Sequence, residues 1–221
     1  MKNNKNNKKE AATKLKIIDC AVNKFAVKGF TETGVREIAA AVGIKAASIY
    51  AHFETKNSIL EYILNDYFEY IESTFIENDV LLRLQKNPTP DGVLSCLVLS
   101  FPDDKKEYYL KILSVVLQEQ HRNPLIREFV SKRMILRGEN NVKKIIGILK
   151  DLNILRSDTD SDFWAKTAHS IFYAFSNRML LGIGDMSPDF SGAGMAGTLK
   201  ILFEMLFSTC GVKPGLQQYN K

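Results

Sequence analysis

TGVREIAAAVGIKAASIYAHF, residues 33–53, sets two short helical patterns on either side of one glycine. Val35, Ile38, Ala39 and Val42 recur at three- and four-residue steps, which predicts a helix capped by Thr33. Gly43 breaks that helix, Ile44 plugs the corner, and a further helix spans about Lys45 to Ala51. Helix, glycine turn and helix together make a helix-turn-helix. One side of the second helix carries little bulk. Ala46, Ala47 and Ser48 would let its backbone approach base edges in a DNA major groove, while Ile44, Ile49 and Phe53 face inward. The bland alternative is a buried helical hairpin, and the distribution of charge argues against it.

Of 221 residues, 1–56 hold 11 Lys+Arg and 5 Asp+Glu, a balance of +6, whereas 57–221 hold 19 and 20, a balance of −1. All the basic excess therefore lies in the first quarter, as a small polyanion-binding module joined to a neutral body would have it. The opening MKNNKNNKKE lacks the apolar core of a signal peptide, and residues 1–9 read as a disordered basic tail. Cys20, Cys96 and Cys210 are far apart and have no CxxC spacing, which argues against a disulfide framework or zinc site and suits a reducing cytoplasm. GMAGTLKILFEMLFSTCGV is strongly apolar, but Lys200 and Glu204 interrupt it, so it reads as a buried helix rather than a membrane span.

No alternating strand pattern appears, so the fold is expected to be all-α with about nine helices. The first carries Leu15, Ile18, Ala21, Val22 and Phe25 on one face and ends at Gly29. Thr55 starts a long helix along SILEYILNDYFEYIESTF, and NPTPDG and FPDD flank the short apolar stretch VLSCLVLS. DKKEYYLKILSVVLQEQ forms a helix, Pro124 opens another toward Leu155, SDTDSD caps one through FWAKTAHSIFYAFSNRMLL, and a glycine-rich loop enters the last.

Residues 17–60, IIDCAVNKFAVKGFTETGVREIAAAVGIKAASIYAHFETKNSIL, resemble the N-terminal DNA-binding domain of the TetR family of bacterial transcriptional regulators. The resemblance rests on AxxxF at Ala21–Phe25, the Gly29-Phe30 step, VREIA, the AVGI turn, the aromatic pair in IYAHF, and Lys56. It covers about residues 10–60. Two positions depart from the pattern: Lys45 replaces a small hydroxyl residue and Ala47 a glycine, so no operator sequence can be borrowed.

The resemblance implies an N-terminal three-helix domain over residues 10–56, joined by a long helix to an effector-binding and dimerisation domain over 57–221. It also implies DNA contacts, which the chemistry supports. Thr33 opens a helix whose free amides and hydroxyl suit a phosphate. Tyr50 and His52 offer polar tips beside the groove, and the Lys56 ammonium, opposing a helix dipole, would face an external anion. Lys45 and Ser48 are candidates for reading bases, with Arg36 as a second contact and Lys45 equally able to reach phosphate.

In the C-terminal part, aromatic residues mostly fill a core. The sharper expectation is an apolar or aromatic effector touching Tyr109, Trp164, Tyr173, Asn177 and Arg178. Phe172, Phe175 and Met179, with Leu199, Leu202, Phe203 and Leu206, give the last two helices more apolar surface than one core needs. That surplus predicts a two-fold four-helix interface with a second copy, setting two recognition helices one DNA turn, or a multiple, apart. GAGMAG at 192–197 spells GxGxxG but lacks the preceding strand of a dinucleotide site. His121 and His169 have no ligand-spaced partner, and no nucleophile signature such as GxSxG occurs, so neither metal, cofactor nor enzyme is expected.

The charge pattern, the motif and the resemblance together imply a cytoplasmic, ligand-responsive transcriptional regulator, a repressor expected to bind a palindromic operator as a homodimer and to leave it on binding an effector. One alternative is a DNA-binding regulator with no small-molecule effector, whose C-terminal domain only dimerises or docks a protein. A remoter one is an all-α small-molecule enzyme.

Overall fold

Buried apolar positions at helical spacing organise the described helices, and several helix boundaries have a local cause. The computed structural model describes residues 2–75, 77–97, 104–180 and 194–212, without the side chains of 2–7, 74, 77, 78, 179 and 180. Among the described residues there are eleven α-helices, one π-helical segment and a single antiparallel bridge between Leu155 and Gly211. No helix there is long and apolar enough to cross a membrane.

Helix α1 (Lys2–Lys28) buries Ile17, Ile18, Ala21, Val22 and Phe25. It begins where the sequence reading placed a disordered tail, because KNNKNNKK contains no helix breaker and lysine is a good helix former. Residues 8–12 are exposed, so this extension is helical and solvated at once. Leu15, expected on the buried face, is 58% exposed. It lies about a quarter turn off the stripe, and Lys14 takes the in-phase position instead. The Lys14 ammonium sits 4.2 Å from the centre of the Tyr62 ring and 5.4 Å from that of Phe53.

Helix α2 (Val35–Val42) ends at Gly43, whose φ of 76° places it in the left-handed region that glycine alone enters cheaply. Its amide donates to the Ala40 carbonyl and that of Ile44 to the Ala39 carbonyl, so the turn satisfies its own backbone. Helix α3 (Ala46–Tyr50) follows, and α4 (Lys56–Thr74) opens with a reciprocal cap. The Thr55 Oγ1 accepts from the Ser58 amide, and the Ser58 Oγ accepts from the Thr55 amide.

Beyond α4 lie α5 (Glu77–Lys86), α6 (Pro90–Leu97), α7 (Lys106–Glu119) and α8 (Pro124–Glu128), whose first amides the Asn123 side chain caps. A π-helical segment (Phe129–Ile135) leads into α9 (Leu136–Asp151). The sequence treated this run as one helix; the extra backbone residue of the π-turn is invisible to apolar periodicity. Helix α10 (Ser161–Leu180) is capped by Asp160, which accepts from the Phe163 amide, and α11 (Met195–Cys210) ends the described chain. The count exceeds nine because α5 and the short α8 were not resolved as separate helices.

Two compact units result, one from residues 1–70 and 101–131, the other from 71–100 and 132–221. In the first, α7 packs along α1. In the second, Ile145, Ile146 and Leu149 of α9, Trp164 and Ala165 of α10, and Leu199, Leu202, Phe203 and Leu206 of α11 share one core with Leu84, Val93 and Leu94. The expected division at 56/57 falls at the start of α4, whereas these units part within α4 and within the π-segment. The reason is that α7, remote in sequence, joins the N-terminal helices.

Candidate nucleic-acid interface

The first two apolar stripes dictate which way α3 faces. Ile38 and Ala39 of α2 and Ile49 of α3 are buried, and Phe53 closes the end of the motif. With Ile49 turned in, Ala47, Ser48 and Tyr50 are turned out, Tyr50 to 54% exposure, and Lys45 and Arg36 are exposed as well. Ala46 and His52 are half-buried at the margin. Seven of the nine candidate DNA residues are therefore at least partly accessible: Arg36, Lys45, Ala46, Ala47, Ser48, Tyr50 and His52.

Thr33 and Lys56 are placed differently from expectation. Thr33 is completely buried; its hydroxyl donates to the Gly29 carbonyl at 2.8 Å and approaches that of Lys24 at 3.4 Å. It therefore presents no hydroxyl outward, and Gly34, exposed and without a side-chain cap, precedes α2 in its place. The Lys56 ammonium donates to the carbonyls of Phe30, Thr31 and Thr33 at 2.7, 3.2 and 3.0 Å. It also lies 4.3 Å from the centre of the Phe30 ring. The charge that seemed to need an external anion is met by carbonyl dipoles of the α1–α2 turn.

Three supports escaped the sequence reading. Glu37 of α2 accepts from Lys28 at 2.7 Å and Lys24 at 3.0 Å, which ties α2 to α1. Those two hydrogen bonds, the one from Lys28 first, lower the Glu37 carboxyl to about 2. Lys14 covers Phe53 and Tyr62, and a buried carboxylate, Glu119 of α7, accepts from the Phe30 amide at 2.8 Å. Glu119 was legible in one respect: Ile112, Val116 and Glu119 fall on one helical face, so periodicity alone buries it.

The expected effector residues are divided between the two units. Tyr109 belongs to the first unit, buried and stacked on Tyr70 with ring centres 4.3 Å apart. Trp164 is buried in the core of the second. Trp164 and Tyr173 are nine residues apart on α10, about half a turn out of phase, so they cannot share a face. The Asn177 side-chain Nδ2 donates to the Tyr173 carbonyl, and Arg178 is exposed, its guanidinium 5.8 Å from the centre of the Phe175 ring. A groove of about 430 Å³ in the first unit, lined by Ala26, Lys106, Glu107, Leu110, Lys111 and Ser114, includes none of the five.

Leu199, Leu202, Phe203 and Leu206, expected at a dimer interface, are buried in their own chain's core, with Phe172 and Phe175 packed half-buried against it. The Met179 side chain lies outside the described residues. The outward apolar positions of α11 are Ile201 and Met205, 55% and 54% exposed. In GAGMAG, residues 192 and 193 lie outside the described residues, while Gly194 caps α11 and Gly197 is buried within it. Among the described residues no group of three or more His, Cys, Asp or Glu could hold a metal ion.

An exposed, small-sided helix, carried on a glycine turn and braced by α1, defines a helix-turn-helix DNA-binding domain. Residues 17–63 match the model of the bacterial regulatory proteins of the tetR family. The chain is similar to the biofilm operon icaADBC HTH-type negative transcriptional regulator IcaR of Staphylococcus aureus, 33% identical over 97 residues. That alignment covers 44% of this chain and 50% of the relative, so the chain spans about half the length of the curated relative it matches. The fold resembles NalD, the secondary repressor of the MexAB-OprM multidrug efflux pump in Pseudomonas aeruginosa, at 17% identity and a TM-score of 0.60. That likeness covers 92% of this chain and 98% of the other. It also resembles SmeT, the Stenotrophomonas maltophilia efflux-pump repressor, in its complex with triclosan. Identity there is 18% and the TM-score 0.61, over 92% of this chain and 93% of the other.

Proposed function

We propose that the chain is a ligand-responsive transcriptional repressor whose homodimer binds a palindromic operator through the α2–α3 surface. The observation that carries this reading is the outward face of α3, where Ala47 and Ser48 stand exposed between Lys45 and Tyr50. Low bulk admits the helix to the major groove, the Ser48 hydroxyl and Lys45 ammonium reach base edges, and the Tyr50 hydroxyl and His52 ring reach flanking phosphates. Gly34 leaves the first amides of α2 uncapped beside Arg36, a second phosphate contact.

Pairing of two copies through α10 and α11 would use the outward Ile201 and Met205, with Ser170 and Ala174 of α10 allowing close approach. Two half-sites would then lie one duplex turn, or a multiple, apart. An apolar or aromatic effector bound among the helices of residues 57–221 would displace α4 and alter that spacing. The triclosan held by SmeT supports an effector of this chemical kind.

The test is selection of duplexes from a random-sequence library with the full-length chain, followed by titration over a salt series. Enrichment of an inverted repeat with steeply salt-dependent binding supports the reading. Failure to enrich any duplex removes it. A duplex bound equally with and without every apolar effector tried favours the alternative in which the C-terminal part only dimerises or docks a protein.

A further inference from the structure

The turn between α1 and α2 sets the direction in which α2, and with it α3, leaves the first helix. Gly29, with φ of 85°, ends α1, and its amide is satisfied by the Phe25 carbonyl. The next amide, Phe30, is taken by the Oε1 of Glu119 at 2.8 Å, 89 residues away in sequence. On the carbonyl side of the same turn, Lys56 takes Phe30, Thr31 and Thr33. Two side chains of opposite charge therefore grip one six-residue turn from opposite polarities.

We infer that Glu119 is a positioning residue for DNA reading, the point at which α7 holds the α1–α2 turn and so orients the recognition helix. This rests on the proposed role of α3 as the duplex-facing helix. Glu119 is 7% exposed, and a buried carboxylate is costly unless hydrogen-bonded, so a bland packing position would favour a hydrocarbon. Its backbone is fixed as firmly as its side chain, because its carbonyl accepts from the Arg122 and Asn123 amides where α7 ends. The fit is tight: a Cβ added at Gly29 would stand 2.9 Å from the same Oε1. Reach, not charge, is what the geometry demands, since the acceptor must arrive in line with one amide. Any displacement of the α7 end along α1 withdraws it, which makes α7 a handle on the DNA-binding helices.

The test uses the full-length chain and the duplex it selects from a random-sequence library. Glu119→Gln keeps the reach and loses the charge; Glu119→Asp keeps the charge and loses the reach. Binding of the Gln variant within about threefold of the parent, and of the Asp variant at least tenfold weaker, with helical content and oligomeric state unchanged, is the expected result. Exchange of the amides of residues 30–33 should be faster in the Asp variant alone. Asp binding as tightly as the parent, or Gln binding as weakly as Asp, overturns the inference. Should the Asp variant fail to fold, the parent decides: a Phe30 amide that exchanges as fast as a solvent-exposed one overturns it, and one protected like the α7 amides upholds it. If no duplex is enriched, the DNA reading itself falls and this role with it, whereas protection at Phe30 would still report the contact.

Discussion

Replacing Lys56 by Met keeps the aliphatic stem and removes only the ammonium that binds the α1–α2 turn. Three carbonyls lose a charged donor, at 2.7, 3.0 and 3.2 Å, and the Phe30 ring loses a cation at 4.3 Å. A hydrogen bond from a charged group contributes about 1.5–3 kcal/mol, and a cation–π contact at an exposed site about 0.5–1 kcal/mol. The full sum does not apply, because the contact to the Thr31 carbonyl is exposed and water replaces the donor there. A net loss of about 2 kcal/mol remains, which lowers the melting temperature of a chain this size by roughly 4–8 °C. Thermal unfolding followed by far-ultraviolet circular dichroism, without DNA, measures it. A solvated lysine waiting for a phosphate would give no such loss. A Lys56→Met melting curve that overlays the parent's, with amide exchange at residues 30–33 unchanged, would refute the strut.

Other perturbations test neighbouring parts of the account. Glu37 is depressed to about 2 from 4.5, so the stability it confers is present above pH 4.5 and is lost as pH falls toward 2. Glu37→Gln should flatten the acid side of the pH–stability profile between those limits, and an unchanged profile would dismiss the Lys24–Glu37–Lys28 tie. Gly29→Ala meets both a left-handed φ and the Glu119 carboxylate, whereas Gly43→Ala meets strain alone with open space around it. Urea unfolding should show about 1–2 kcal/mol lost at Gly43 and more at Gly29; the reverse order would contradict the packing of that turn. Leu206→Ala, in the core of the second unit, should cost about 2–5 kcal/mol. Met205→Glu on the outward side of α11 should leave the fold intact but shift the proposed homodimer to monomer in sedimentation, and a persistent dimer would move the interface elsewhere.

Local pattern carried much of this structure, and long-range pairing carried what it missed. The outward face of α3 was legible because Ile49 and Phe53 fix the phase of a short helix, and the Gly43 break because only a left-handed residue turns that corner. The fates of Thr33 and Lys56 were not legible. A cap and a surface ammonium look the same in sequence whether they meet solvent or backbone, and their partners lie across a turn. Trp164 and Tyr173 lie about half a turn out of phase on α10, which their nine residues of separation already implied. Leu199, Leu202, Phe203 and Leu206 show why an apolar helix alone does not mark an interface: its own core claims the best stripe first, and Ile201 and Met205 are left facing outward. The grouping of α7 with the N-terminal helices depends on contacts such as Glu119 to Phe30, which no local window contains.

Ala47 offers the most direct measurement, because it is exposed on α3 and makes no contribution to the core. In a fluorescence titration of the selected duplex, Ala47→Glu should bind at least a hundredfold more weakly than the parent while melting at the same temperature, since a carboxylate would be thrust against base edges and phosphates. Parent-like affinity in that variant would contradict the placement of α3 in the groove, and with it the function built on that surface.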